Sequence, residues 1–264
     1  MFKHIPFEQV LERIAEKNAE FTFGVHAGEL AKLVPDNQAT IFSQEHTEKV
    51  IFALEKAVMG SVRSLNETYG LLRQAIMYSF LWREHPVFGI QFFVYRRTKQ
   101  NNEGQLAQRL SLGAGGHFEI ADVFVHENED GRTVTSIIDL AATCKENYER
   151  EREEEIDGDD HDITPYGEAS LHGFVMDSQP ATGYVGNIHF GVLAGVQVIA
   201  PAYEPAMKEV HNKAEGWFTA DELRSIATGA TEFVRNDQQV NFEPWSQLMI
   251  AKIEELVSTL KEAA

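Results

Sequence analysis

Glu149-Arg150-Glu151-Arg152-Glu153-Glu154-Glu155 is the segment on which the reading of this 264-residue chain turns. From Glu146 to Asp162 there are ten acidic residues and two arginines, so these 17 residues carry −8 of a total formal charge of −18. Most charge runs of this kind are solvated helix faces. This one sets Glu151, Glu154 and Glu155 at i, i+3 and i+4, on one side of a helix. Like charges at that spacing repel by a few tenths of a kcal/mol per pair unless something positive joins them. A hard divalent cation would do so, since Mg2+ takes one or two carboxylates together with substrate phosphates.

Working outward, Ile137, Ala141, Cys144 and Tyr148 form one apolar stripe at steps of four, three and four, and Ser136 offers an N-cap, so a long helix is expected from there into the glutamates. Upstream, Asp122–His126 and Arg132–Thr135 flank Glu127-Asn-Glu-Asp-Gly131 as a small hairpin. Before it lies the glycine-rich turn Gly113-Ala-Gly-Gly-His117, where backbone can approach a ligand or metal closely. Ala75–Trp82 and Phe88–Tyr95, separated by Arg83-Glu-His-Pro86, read as paired strands. Downstream, Gly173–Met176 and Ile188–Ala200 read as strands, the second apolar enough to be central. Thr219 caps a short helix with Glu222 at the capping-box position, and Pro244–Leu260 is an amphipathic helix.

The first 74 residues read as a mostly helical extension: a helix over Phe7–Lys17, short strands at Glu20–Val25 and Ala39–Phe42, and a longer helical region from His46 to about Leu72, broken near Gly60. The apolar spacing of Phe7, Val10, Leu11 and Ile14 lacks a partner within its own segment, so packing on the remaining domain or a homodimer is expected. Strands and helices in alternation give an α/β (α+β) layered domain over residues 75–264.

With 23 Lys+Arg against 41 Asp+Glu, the chain lacks the clustered positive charge a long nucleic acid would require. One cysteine, Cys144, cannot form an internal disulfide, which points to a reducing compartment. No segment approaches 18 consecutive apolar residues, and Met-Phe-Lys-His-Ile-Pro lacks the apolar region of a secretory signal. A soluble cytoplasmic protein with no membrane partner is expected.

The glycine turn and the glutamate ladder together resemble the Nudix (MutT-like) hydrolases. Their signature runs Gly, five residues, Glu, seven residues, Arg-Glu, an apolar residue, any residue, Glu-Glu, any residue, Gly, apolar. Gly116 matches the first glycine, Arg150-Glu151 the Arg-Glu and Glu154-Glu155 the paired acids. Val94-Tyr-Arg-Arg97, Gly186-Asn-Ile-His-Phe-Gly191 and Gly216-Trp-Phe-Thr-Ala-Asp-Glu-Leu223 look like a bacterial and phage branch of MutT-type phosphoesterases. The resemblance covers roughly residues 75–264. The signature places Arg 14 residues after Gly, whereas here 150 − 116 = 34, so about 20 residues are inserted. Counting back eight from Arg150 gives Ala142 instead of Glu, the apolar position is Arg152, and the last two positions are Asp157 and Gly158.

What the resemblance implies is a Nudix-type α/β/α sandwich with a mixed sheet, and hydrolysis of a phosphoanhydride in a nucleoside diphosphate derivative. The metal would be Mg2+, or Mn2+, held by Glu151, Glu154, Glu155 and the Gly116 carbonyl. Glu151 and Glu154 would serve catalysis, with Arg150 orienting them. Glu215 and Glu209 both lie where the family often supplies a further glutamate, and the sequence does not choose between them. Arg96, Arg97 and His117 are candidates for substrate phosphates, the arginines through their fork of donors. Each has a blander reading: a surface pair for the arginines, a structural turn residue for His117, and a satisfied core histidine for His189. Asp157-Gly-Asp-Asp-His-Asp162 is not an EF-hand, because position 6 is Asp162 where Gly is required. Cys144 lies on the apolar stripe as an inert core residue. The competing class is a Nudix-like nucleotide-binding or regulatory module that has lost turnover.

Overall fold

The Ile, Phe, Tyr and Val density between residues 72 and 97 produces two strands, β4 (Leu72–His85) and β5 (Gly89–Arg97), in a computed structural model. The structure describes residues 21–63, 66–67, 70, 72–98, 106–126, 137–156, 165–177, 188–200, 202–208, 211–235 and 238–263. β4 and β5 pair antiparallel from Trp82↔Phe92 to His85↔Gly89, and the turn falls at Pro86, which cannot donate to a ladder.

β11 (His189–Val198) lies parallel to β4 from His189↔Gln74 to Gln197↔Trp82, and β10 (Tyr166–Met176) runs antiparallel beside it. β11 is nearly continuous in apolar residues because both of its faces are covered. With β12 (Asn212–Thr219) and β2 (Gln38–Ile41) at the ends, the order is β12-β5-β4-β11-β10-β2, a mixed sheet as expected.

Residues 21–62 are woven into this same sheet. β1 (Phe21–His26) pairs with β4 and with β3 (Val58–Val62), and β2 pairs with β10. Residues on both sides of position 75 therefore share one sheet. Between these strands lie the helical turn α1 (Ala27–Leu30) and helix α2 (Gln44–Glu55). The helical region expected from His46 to about Leu72, broken near Gly60, is corrected in its middle: α2 stops at Glu55 and Gly60 lies in β3 opposite Phe23, while Arg63, Asn66 and Glu67 beyond it are helical. β-branched Val58 suits that pleated surface.

Alternation along the strands separates two cores. Met77, Phe93, Tyr95, Phe190 and Val192 face α2 and α3 (Leu140–Glu155), whose Cys144 and Tyr148 are buried there. Tyr78, Phe80, Phe92, Val94 and Leu193 face α4 (Ala220–Ala227), α5 (Pro244–Ala251) and α6 (Ile253–Ala263). This is the expected α/β/α sandwich.

The capping box of α4 forms as read, Thr219 and Glu222 exchanging bonds. Two boundaries differ. The cap of α3 is Asp139, not Ser136, because Ile137–Asp139 first forms β9, paired with β8 (Phe124–His126). Arg132–Thr135, read as the second strand of that hairpin, lies outside the described residues. The C-terminal helix divides at Lys252 into α5 and α6. The helix read at Phe7–Lys17, the acidic run Asp157–Asp162 and Glu209 lie outside the described residues. Among those described, no helix is long and apolar enough to cross a membrane.

Candidate active site

Gly115 and Gly116 end the loop that follows β7 (Gly113–Ala114) and bring backbone against α3. Gly115 has φ +144°, and a Cβ there would collide with the Met77 backbone carbonyl. The Gly116 carbonyl accepts from the Met77 N–H at 3.2 Å. Any side chain at 116 would run into the Glu151 carboxylate, whose Cδ would lie 2.8 Å from the added carbon. The structure thus brings Gly116 and Glu151 together.

Arg150 organises the rest. It donates from Nε to Asp122 Oδ1 at 2.9 Å, and from Nη2 to Asp122 Oδ2 and the His117 carbonyl, both at 3.1 Å. Its Nη2 lies 2.9 Å from Glu151 Oε1 and its Nη1 3.2 Å from Glu154 Oε2. Asp122 is buried and also accepts from the Glu119 N–H and from Asn147 Nδ2, each at 2.8 Å. Burial alone would raise its pKa, but the hydrogen bonds from Arg150, Asn147 and the Glu119 N–H hold it below the usual carboxylate range.

Asp122 is the site residue that sequence reading missed. Counted forward from Gly116, five residues and then an acid lead to position 122; counted back from Arg150, the insertion hides it. Burial raises the Glu151 pKa to about 7, with Arg150 opposing the shift and Glu154 adding to it. Glu154 is exposed, its carboxylate reaching Arg150, whereas Glu155 is partly buried close enough to Tyr95 for its charge to act on the phenol. Among the described residues, no three His, Cys, Asp or Glu side chains converge as a ready-made metal cluster.

The other candidates divide by strand face. Arg97 points with Tyr95 toward the α3 face, its Nη2 3.5 Å from the Tyr95 hydroxyl. Burial pushes the Tyr95 phenol up to about 12, with Arg97 opposing. Arg96, the next residue, faces the opposite layer and is buried, donating from Nε to Glu215 Oε1 at 2.8 Å and from Nη1 to Gln108 Oε1 at 2.7 Å. Glu215 sits at a bulge in β12 and also accepts from Arg235 Nε at 2.7 Å. Arg96 and Glu215 are therefore joined to each other and separated by the sheet from Glu151. His117 turns its ring to His189, with Nε2 atoms 2.9 Å apart, while its carbonyl faces α3. Burial, then the neighbouring His189 and Arg63, lower the His117 pKa to about 3. Cys144 is buried, and burial raises its thiol pKa, consistent with an inert core residue.

No family model matches the chain. It is 26% identical over 215 residues to Protein YmaB of Bacillus subtilis (strain 168), the match spanning 81% of this chain and 87% of that protein. Its structure superposes on the crystal structure of Tm1382, which is provisionally described as a Nudix hydrolase, with a TM-score of 0.60 at 17% identity, covering 90% of this chain and 100% of that one. The fold is that of the Nudix hydrolases.

Proposed function

We propose that this protein is a Nudix-type hydrolase that uses Mg2+, or Mn2+, to cleave a phosphoanhydride bond in a small nucleoside diphosphate derivative. The observation that carries the reading is the Gly116–Asp122–Arg150–Glu151 constellation, in which the signature's glycine, first acid, arginine and first metal glutamate meet despite the insertion between them. The donors suit a hard cation: all are oxygens, and Mg2+ needs only one or two carboxylates when substrate phosphates and waters complete its shell. Glu151, Glu154, Glu155 and the Gly116 carbonyl would hold it. When bound, Mg2+ neutralises charge on the bridging phosphates and lowers the pKa of a water.

The chain's own residues do the positioning. Arg150, fixed by Asp122, holds the Glu151 head against Gly116. Glu154 stands at the exposed side of the same guanidinium, open to solvent and substrate. Arg97, at the end of β5 on this face, offers a planar fork of donors to phosphate oxygens. Glu215 and Arg96 are left out of the chemistry, because each is held in a buried ion pair on the other face.

The second reading, a Nudix-like nucleotide-binding or regulatory module without turnover, is favoured by one observation: Glu154 and Glu151 are both engaged by Arg150. The two readings part in a Mg2+-supplemented screen of sugar nucleotides, dinucleotides, nucleoside triphosphates and capped RNA ends, with products identified by mass spectrometry. Cleavage of any anhydride selects the enzyme, and saturable binding without product selects the module.

A further inference from the structure

Asn147 is a fully buried amide in the middle of α3. Its Nδ2 donates to the His117 carbonyl and to Asp122 Oδ2, each at 2.8 Å, so both amide protons are used. Its Oδ1 is buried and, among the described residues, meets no donor. The flipped amide is excluded, because Oδ1 would then face two acceptors. A buried acceptor without a partner costs stability, and an apolar side chain of similar size would avoid that cost.

The two groups that Asn147 holds are the acceptors of Arg150. Arg150 Nη2 donates to the same His117 carbonyl and the same Asp122 oxygen, both at 3.1 Å, and its Nε to Asp122 Oδ1 at 2.9 Å. Losing Asn147 would orphan neither acceptor. The His117 carbonyl keeps Arg150, and Asp122 Oδ2 keeps Arg150 and the Glu119 N–H at 2.8 Å. Satisfying them is therefore not what requires the amide. What it adds is a fixed separation between a backbone carbonyl and a carboxylate five residues apart in the loop.

We infer that Asn147 is a positioning residue of the proposed site. It holds the His117 carbonyl and Asp122 at the separation that fits one guanidinium. Through Arg150 it places the Glu151 carboxylate, 2.9 Å from Nη2, beside Gly116. Without the amide, the guanidinium is free to follow its exposed partner Glu154, 3.2 Å from Nη1, toward solvent. The consequence for turnover rests on the hydrolase reading; the arrangement around Arg150 does not.

The test compares Asn147→Leu and Asn147→Ala with Thr143→Val, in the metal-free full chain and in turnover. Thr143 is the control: it is buried one turn earlier on α3 and accepts from the Phe124 N–H at 3.2 Å, without touching an acceptor of Arg150. Solvent exchange of the Arg150 Nε–H is read by NMR, its signal assigned by its loss in Arg150→Lys. Exchange should be at least ~10-fold faster in both Asn147 variants and within ~2-fold of wild type in Thr143→Val. Melting temperatures of the Asn147 variants should stay within about 5 °C of wild type, since no acceptor is orphaned. On an anhydride that the wild type cleaves, kcat should fall at least ~10-fold with KM within ~3-fold. Unchanged Arg150 exchange in both Asn147 variants, or equal acceleration by Thr143→Val, would overturn the inference. So would full kcat in a folded Asn147 variant where Glu151→Gln is impaired. A wild type that cleaves no anhydride fails the hydrolase reading alone, and the Arg150 measurement, which needs neither metal nor substrate, still decides this one.

Discussion

Gly116 and Glu151 are packed so closely that the glycine's missing side chain is the space occupied by the glutamate's carboxylate. The atoms in conflict belong to the end of a flexible side chain, so a methyl group at 116 displaces the carboxylate without displacing the fold. Gly116→Ala should therefore lower stability by only about 1 kcal/mol while reducing anhydride hydrolysis at least ~10-fold. Thermal melts beside initial rates check this, and equal activity would show that the Glu151 position is irrelevant to chemistry.

Glu215 gives the opposite split. Its carboxylate is buried between Arg96 and Arg235, at 2.8 and 2.7 Å. Removing one partner of a buried pair leaves an uncompensated charge, so Glu215→Gln should destabilise by about 3 kcal/mol in urea titrations. Turnover per folded molecule should stay within ~3-fold, since the sheet lies between Glu215 and Glu151. A fall of ~100-fold in a folded variant would restore Glu215 as a catalytic group.

His172 makes the fold sensitive to acid. It is buried against Phe80, hydrogen-bonded to Ser170 and Thr259, and burial lowers its pKa from 6.5 to about 4. Above pH 6.5 neither state takes the proton. As pH falls from 6.5 toward 4 the unfolded chain binds a proton that the folded chain refuses, so stability declines, by up to about 3 kcal/mol. Unfolding free energies at pH 7 and 4.5 should differ less in His172→Gln than in the wild type; identical differences would remove His172 as the cause.

A chain beginning at Gln74 should not fold to the same sheet. It lacks β1, which covers β4 from Gly24↔Gln74 to His26↔Leu72, and β2, which covers β10. It also lacks buried Val25, Leu30, Ile51 and Leu54 of the α3-side core. Circular dichroism and sedimentation should find loss of cooperative melting or aggregation. A monomeric truncation melting near the full chain would contradict this.

The parts of the fold legible from sequence were those with a strong local pattern. β4, β5 and β11 announce themselves by β-branched and aromatic density, and the Thr219–Glu222 box by its spacing. β3 was not legible, because Val58-Met-Gly-Ser-Val62 follows a helix at helix-compatible spacing and its partner Phe21–His26 is remote. At the site, the glutamate ladder was readable because i, i+3, i+4 geometry is local. Asp122 was hidden by an insertion that leaves the spatial Asp122–Arg150 contact intact while destroying the count between them. Strand alternation puts Arg96 and Arg97 on opposite faces of β5, but which face carries α3 is set by packing across the sheet, and Glu215, at the bulge beside Gly216, meets Arg96.

The central claim is that the carboxylates of α3 carry anhydride hydrolysis, and the most direct measurement is the Mg2+-dependent rate on a cleaved nucleoside diphosphate derivative for wild type and Glu151→Gln. The substitution keeps volume and hydrogen-bonding reach while removing the buried charge beside Arg150. The account predicts a drop of at least ~100-fold with a folded, cooperatively melting variant. A wild type that cleaves no anhydride in Mg2+ or Mn2+, or a Glu151→Gln variant with full activity, would contradict it.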